Sequence, residues 1–218
     1  MARTKESEIL RKTVEFVKSC LRDESWGHGW QHARRVWRTS LRIAEKEGVK
    51  VDLLVLQLAA LLHDVEDRKI RGKCRSVEAF LRELELEKKR IDHVLEIVRN
   101  ISFKGAAVPD NMESTEGKIV QDADRLDALG AIGIARCFAT GAILGRSIHD
   151  PKAKPESHRS PEEYRNSKST SINHFYEKLL HLKDRLHTRT ARKAAENRHR
   201  FMVRFLEKFF EEWEGKDL

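Results

Sequence analysis

Ten residues from Leu53 to Leu62, apolar except for Gln57, constrain this chain more than any other stretch. A helix that is apolar almost all round has no face to give to water and must lie at the centre of a fold. It is also too short to cross a bilayer. Asp52 stands where a capping side chain would start the helix, and the periodicity carries it to about Val65. Near its end come His63 and Asp64. An imidazole and a carboxylate on the most apolar helix of a chain are costly to bury unless something compensates them. A divalent cation does so well, because both groups are good ligands for first-row metals.

The rest of the chain also reads as helix. One face carries Ile9, Phe16, Val17 and Cys20 over residues 8–21, and a break follows at Trp26-Gly27-His28-Gly29. Val36, Ile43 and Ala44 mark a helix from about Trp30 to Glu47, with Gly48 as its stop. Ser76 starts a short helix through Leu86, and another covers about Lys88 to Ser102. Gly105 to Glu113 reads as a loop, and a helix begins near Thr115. The small residues Gly130, Ala131, Gly133 and Ala135 fit either close helix packing or a junction between two helices. His149 to Pro161 is polar, with three prolines, and Ser160-Pro161-Glu162-Glu163 has the chemistry of a helix start. Final helices are expected over about Ser171 to Leu186 and Ala191 to Trp213. No segment alternates as a strand would. The fold class is all-α, in one domain over residues 1–218, with core motifs in 26–136 and a C-terminal helical extension over 160–214.

Composition sets bounds on partners. The 218 residues carry a net charge of +8, and the pI is about 9.5, a balance that suits polyanions such as nucleotides or nucleic acid. Cys20, Cys74 and Cys137 are odd in number, far apart and in no CxxC arrangement, which argues against a disulfide framework and for thiols in a reducing cytoplasm. No apolar run follows the charged N-terminus, so no signal peptide or membrane association is expected.

A metal needs more than two ligands. His32 lies within the second helix, and Asp124 lies in Asp122-Ala123-Asp124-Arg125-Leu126-Asp127. His32, His63, Asp64 and Asp124 would then bring two imidazoles and two carboxylates from three helices to one ion, with positions left for water and substrate.

The order His, His-Asp, Asp on such helices resembles the HD superfamily of metal-dependent phosphohydrolases. The likeness extends beyond the four ligands to residues 28–36, 60–67, 122–136 and 169–180, and covers roughly residues 8–214. It is closest to the branch of small bacterial and archaeal HD nucleotide hydrolases. What the resemblance implies is an all-α HD-type helical bundle with additional C-terminal helices. It also implies a divalent ion that polarises a phosphate and activates a water. Mn²⁺ is the first choice, and Mg²⁺, Fe²⁺, Co²⁺, Ni²⁺ and Zn²⁺ suit the same donors.

Roles for neighbouring side chains follow, each beside a plainer reading. Glu66 and Asp67 could take or orient the water proton, or be solvated carboxylates at a helix end. Asp127, one turn after Asp124, could support a ligand, contact substrate, or pair with an arginine. His28 could bind phosphate or be a loop histidine. Arg35, Lys69, Lys104 and Arg125, together with His174, Lys178 and Lys183, are cations that could meet phosphate charge or form solvated faces. Residues 151–204 hold fourteen Lys and Arg against six Asp and Glu.

The expected activity is hydrolysis of a nucleotide or related phosphate, from nucleoside triphosphate to monophosphate and pyrophosphate. A 5′-nucleotidase and an alarmone hydrolase are the neighbouring alternatives. The HD pair continues as Val65-Glu66-Asp67, whereas alarmone hydrolases place their acidic pair one position later. An alternative of another class is a basic helical nucleic-acid-binding protein with a structural metal. No helix-turn-helix, RNA-binding or zinc-finger signature supports it. Exposed Phe209 and Phe210 would allow a homodimer.

Overall fold

A computed structural model describes residues 2–21, 27, 29–66, 74–102, 110–156 and 169–218. Nine α-helices and no strand occur among the described residues: α1 Ala2–Cys20, α2 Trp30–Glu47, α3 Leu53–Leu62, α4 Val77–Arg82, α5 Lys88–Asn100, α6 Thr115–Asp127, α7 Gly130–Ile143, α8 Ser171–Glu177 and α9 Arg189–Trp213. A 3₁₀ helix, Leu179–Arg185, separates the last two. No single described helix is long and apolar enough to cross a membrane. Two compact units form, the first from Met1–Ser102 and Asp110–Asp124, the second from Arg125–Leu218.

In the first unit α3 is the hub, packed by α1, α2 and α5. Its cap is as the sequence predicts: the Asp52 carboxylate accepts the N–H groups of Leu54 (3.1 Å) and Val55 (3.2 Å). Leu56, Leu58, Ala59, Ala60, Leu61 and Leu62 are wholly buried. A buried leucine contributes about 1.5–3 kcal/mol, so this helix anchors the unit. Gln57, its one polar residue, accepts the Trp37 indole N–H from α2 at 3.1 Å. The helix is shorter than the periodicity suggests. It ends at Leu62, and residues 63–66 continue as turns, with Val65 N–H bonded to Leu62 O at 3.1 Å. Gly48 closes α2 in the left-handed conformation (φ +64°), as expected.

Ser76 caps α4, accepting from Ala79 N–H at 3.1 Å, but the helix stops at Arg82 instead of reaching Leu86. Single-turn bonds from Glu83 and Leu84 back to Phe80 and Leu81 close it, and Glu85 turns to φ +51°. Cys20 and Cys74 are joined as a disulfide across 54 residues, which corrects the expectation of three thiols. Sequence separation hid the pair, because the packing of α1 beside the entry to α4 is a tertiary fact. Phe16 of α1 and Phe80 of α4 stack at 4.0 Å, and the Arg75 guanidinium lies over both rings at 5.5 and 5.3 Å.

The second unit packs α7 against α8 and α9. Gly130 resolves the question left by the small residues. It stands at φ +71°, starting α7 with two residues between it and the end of α6, and a Cβ there would press on the Arg198 side chain at 3.1 Å. Gly133 serves the other purpose, since a Cβ on it would meet Ala128 O at 2.2 Å. The helix expected over 171–186 is broken after Glu177 and tightens into the 3₁₀ turn. Buried Glu177 accepts from Ser169 Oγ (2.5 Å) and Glu156 N–H (3.0 Å). Residues 149–156 form the expected irregular stretch, whereas the predicted helix start at Ser160-Pro161-Glu162-Glu163 lies outside the described residues.

Candidate metal centre

Three side chains of the first unit, His32, His63 and Asp124, cluster at one point, and Asp64 stands beside the two imidazoles. His32 comes from the buried stripe of α2 that continues through Val36, Ser40 and Ile43. His63 is the C-terminal cap of α3, Asp64 follows it, and Asp124 comes from the last full turn of α6. His32 Nε2 lies 3.0 Å from His63 Nε2, 3.3 Å from Asp64 Oδ2 and 3.3 Å from Asp124 Oδ1. His63 Nε2 lies 3.6 Å from Asp64 Oδ1 and 3.8 Å from Asp124 Oδ1. Donors about 2.1 Å from a common ion are separated by about 3.0 Å at right angles and about 3.4 Å at the tetrahedral angle. The observed spacings fall in and just above that range.

Hydrogen bonding fixes the chemistry of the donor set. His63 Nδ1 donates to Ala60 O at 2.9 Å, which places the proton on Nδ1 and leaves Nε2 as a lone pair facing inward. That lone pair confronts the Nε2 of His32, which is 1% exposed. Two imidazole nitrogens in this relation, with carboxylates beside them, fit a cation between them. The C-terminal end of α3 adds the negative pole of the helix dipole. Burial alone would raise the pKa of Asp124, but in the metal-free site the hydrogen bond from His32 and the charges that the His63 and His32 rings carry when protonated outweigh both burial and the opposing Asp64 charge, and hold it at about 2.

The remaining predicted site residues separate into groups. Glu66 is exposed, and its Oε1 accepts the Val77 N–H at 2.8 Å, fastening the start of α4. Arg35 is half-buried one turn after His32 on α2. In the second unit, buried Asp127 pairs with Arg136 Nη1 at 2.9 Å. Buried Arg125 donates to the Arg185 carbonyl. His174 lies on α8, Lys178 directly follows it, and Lys183 pairs with Asp184 at 2.6 Å. His28, Asp67, Lys69 and Lys104 lie outside the described residues.

Two polar residues of α6 had no role assigned from sequence. Asp122 is wholly buried, and Gln121 Nε2 reaches the carbonyls of Asn100 (3.4 Å) and Ile101 (3.3 Å) at the end of α5. Their alternation with Ala123 and Asp124 gave no sign of burial on more than one face.

Comparison with known proteins identifies the family. Residues 29–129 match the HD domain family. Bacillus subtilis YpgQ is 37% identical over all of this chain and 98% of its own length. The structure of YpgQ in complex with ADP superposes with a TM-score of 0.75 at 32% identity, covering 95% of this chain and 96% of that one. A Lactobacillus plantarum protein gives a TM-score of 0.83 at 34% identity, covering 99% of both chains. An HD-superfamily hydrolase from Bacillus thuringiensis gives 0.69 at 41% identity, covering 96% of this chain and 98% of that one. By sequence and by fold, the chain belongs to the HD superfamily of metal-dependent phosphohydrolases.

Proposed function

We propose that the protein hydrolyses nucleotides, cutting a nucleoside triphosphate to the monophosphate and pyrophosphate, with one divalent ion, Mn²⁺ by preference, held by His32, His63, Asp64 and Asp124. The observation that carries the proposal is the clustering of donors from His32, His63 and Asp124, with the His32 and His63 nitrogens 3.0 Å apart and Asp64 oxygens 3.3 and 3.6 Å from the two imidazoles. The ADP bound in the structure of YpgQ supports a nucleotide as the ligand class. The basic balance of the chain, net +8, suits a polyphosphate.

A divalent ion in such a site supplies Lewis acidity toward a phosphate oxygen and toward water. The chain's own groups do the rest. Ala60 O holds the His63 ring in one tautomer through Nδ1. In this reading Glu66 and Asp67 are the proton acceptors next to the ligands. Asp127, braced by Arg136, sets the end of the helix that carries Asp124. Arg35, with His28 and Lys69, is proposed to meet the phosphate charge.

The test is turnover of a nucleotide panel with Mn²⁺, with pyrophosphate resolved from phosphate, beside the Asp64→Ala variant. Pyrophosphate release by wild type, lost in a variant of unchanged helicity, is the expected result. Orthophosphate as the only product would point to a 5′-nucleotidase, and no turnover of any nucleotide would remove the substrate assignment.

A further inference from the structure

Helix α9 is divided by charge along its axis. From residue 189 to 204 it carries Arg189, Arg192, Lys193, Arg198, Arg200 and Arg204 against the single acid Glu196. From 205 to 218 the chain carries Glu207, Glu211, Glu212, Glu214 and Asp217 against Lys208 and Lys216. The helix dipole favours the reverse order, acids first and bases last, so the stability of α9 alone does not account for this arrangement. Its inner stripe is Ala191, Ala195, Met202 and Leu206, all buried. On the opposite stripe Lys193, Arg200, Arg204, Glu207 and Glu211 are exposed.

These outward cations have no acidic partner among the described residues. Among the described residues Arg200 donates to the Asn197 side chain alone, and the ion pairs of this helix are those of Lys208 with Glu211 (3.6 Å), Glu212 (3.8 Å) and Asp217 (3.2 Å). Phe201, 44% exposed, borders the stripe.

We infer that the outward face of α9 pairs antiparallel with the same face of a second copy of this chain. An antiparallel two-fold partner brings the acidic half of one helix over the basic half of the other. Arg200 then faces Glu211 of the second copy and Arg204 faces Glu207. Both pairs are symmetric about the point between Phe205 and Leu206, so one axis satisfies them together. A long polyanion such as nucleic acid fits less well, because the acidic half of the same helix repels it. The contact spans about three helical turns, and each exposed ion pair contributes only about 0.2–1 kcal/mol. The dimer is therefore weak and salt-sensitive.

Sedimentation of the full chain over a range of concentrations tests this. Wild type is expected to dimerise at low salt and to dissociate at high salt, where charges are screened within about 3 Å. Arg200→Glu/Arg204→Glu and Glu207→Arg/Glu211→Arg should each weaken association at least tenfold while keeping helical circular dichroism. An equimolar mixture of the two should restore a heterodimer, because each reversed half then meets its complement. Wild type that stays monomeric at low salt, with or without binding to random duplex DNA, overturns the inference. So does a mixture that associates no better than either variant alone.

Discussion

His63 Nε2 faces His32 Nε2 across 3.0 Å, and neither ring can turn away, because Ala60 O holds His63 and burial holds His32. Two such nitrogens are satisfied best by a cation. Wild type freed of metal should therefore gain stability on adding Mn²⁺. At a hundred times the dissociation constant the gain is about 2.7 kcal/mol, or about 5–10 °C in Tm for a chain of this size. His63→Ala should lose most of the shift in a thermal melt with and without EDTA. A wild-type melt that ignores metal would count against the centre.

Acid should expose the contribution of Asp124. Its pKa is depressed from an ordinary 3.8 to about 2, so its ionised form stabilises the fold above pH 3.8, and that contribution is lost as pH falls toward 2. Measured without metal, the stability difference between wild type and Asp124→Asn should narrow over this window. A difference that stays constant down to pH 2 would mean that the carboxylate gains nothing from its imidazole neighbours.

Glu66 has two duties in the proposed function, and one substitution separates them. The amide oxygen of Glu66→Gln can still accept the Val77 N–H, so Tm should hold, whereas kcat should fall about a hundredfold or more if the carboxylate accepts a proton. Glu66→Ala should lose activity and also about 1 kcal/mol of stability. Full kcat in the glutamine variant would leave Glu66 as a fastening for α4 alone.

Thiol counting checks the covalent structure. Cys137 is buried, its thiol donating a hydrogen bond to Ser171 O, and burial pushes its pKa up to about 12. Native protein should thus react slowly with a thiol reagent at pH 8. Denatured protein should show one thiol without reductant and three with it. Three thiols without reductant would exclude the Cys20–Cys74 bond.

The helical plan was legible because its signals are local. Asp52, Gly48 and Ser76 act where their chemistry places them, and the apolar run of α3 proved central. The convergence of His32, His63 and Asp124 followed from a motif on those helices. Interactions between distant segments were not legible. The Val77 N–H bonded to Glu66, the Arg185 carbonyl that receives Arg125, and the partner of Cys20 depend on which loop returns beside which helix. The 3₁₀ turn after Glu177 was missed for a related reason: the apolar spacing of Leu179 and Leu182 suits either helix type.

The bond between Cys20 and Cys74, 54 positions apart, closes the chain between them into a ring, and His32, His63 and Asp64 all lie inside it. By chain entropy such a ring is worth about 4 kcal/mol, taken from the disordered state. Three of the four donors are thus tethered near one another even when the helices have melted. Only Asp124 must be recruited from elsewhere in the chain to rebuild the set.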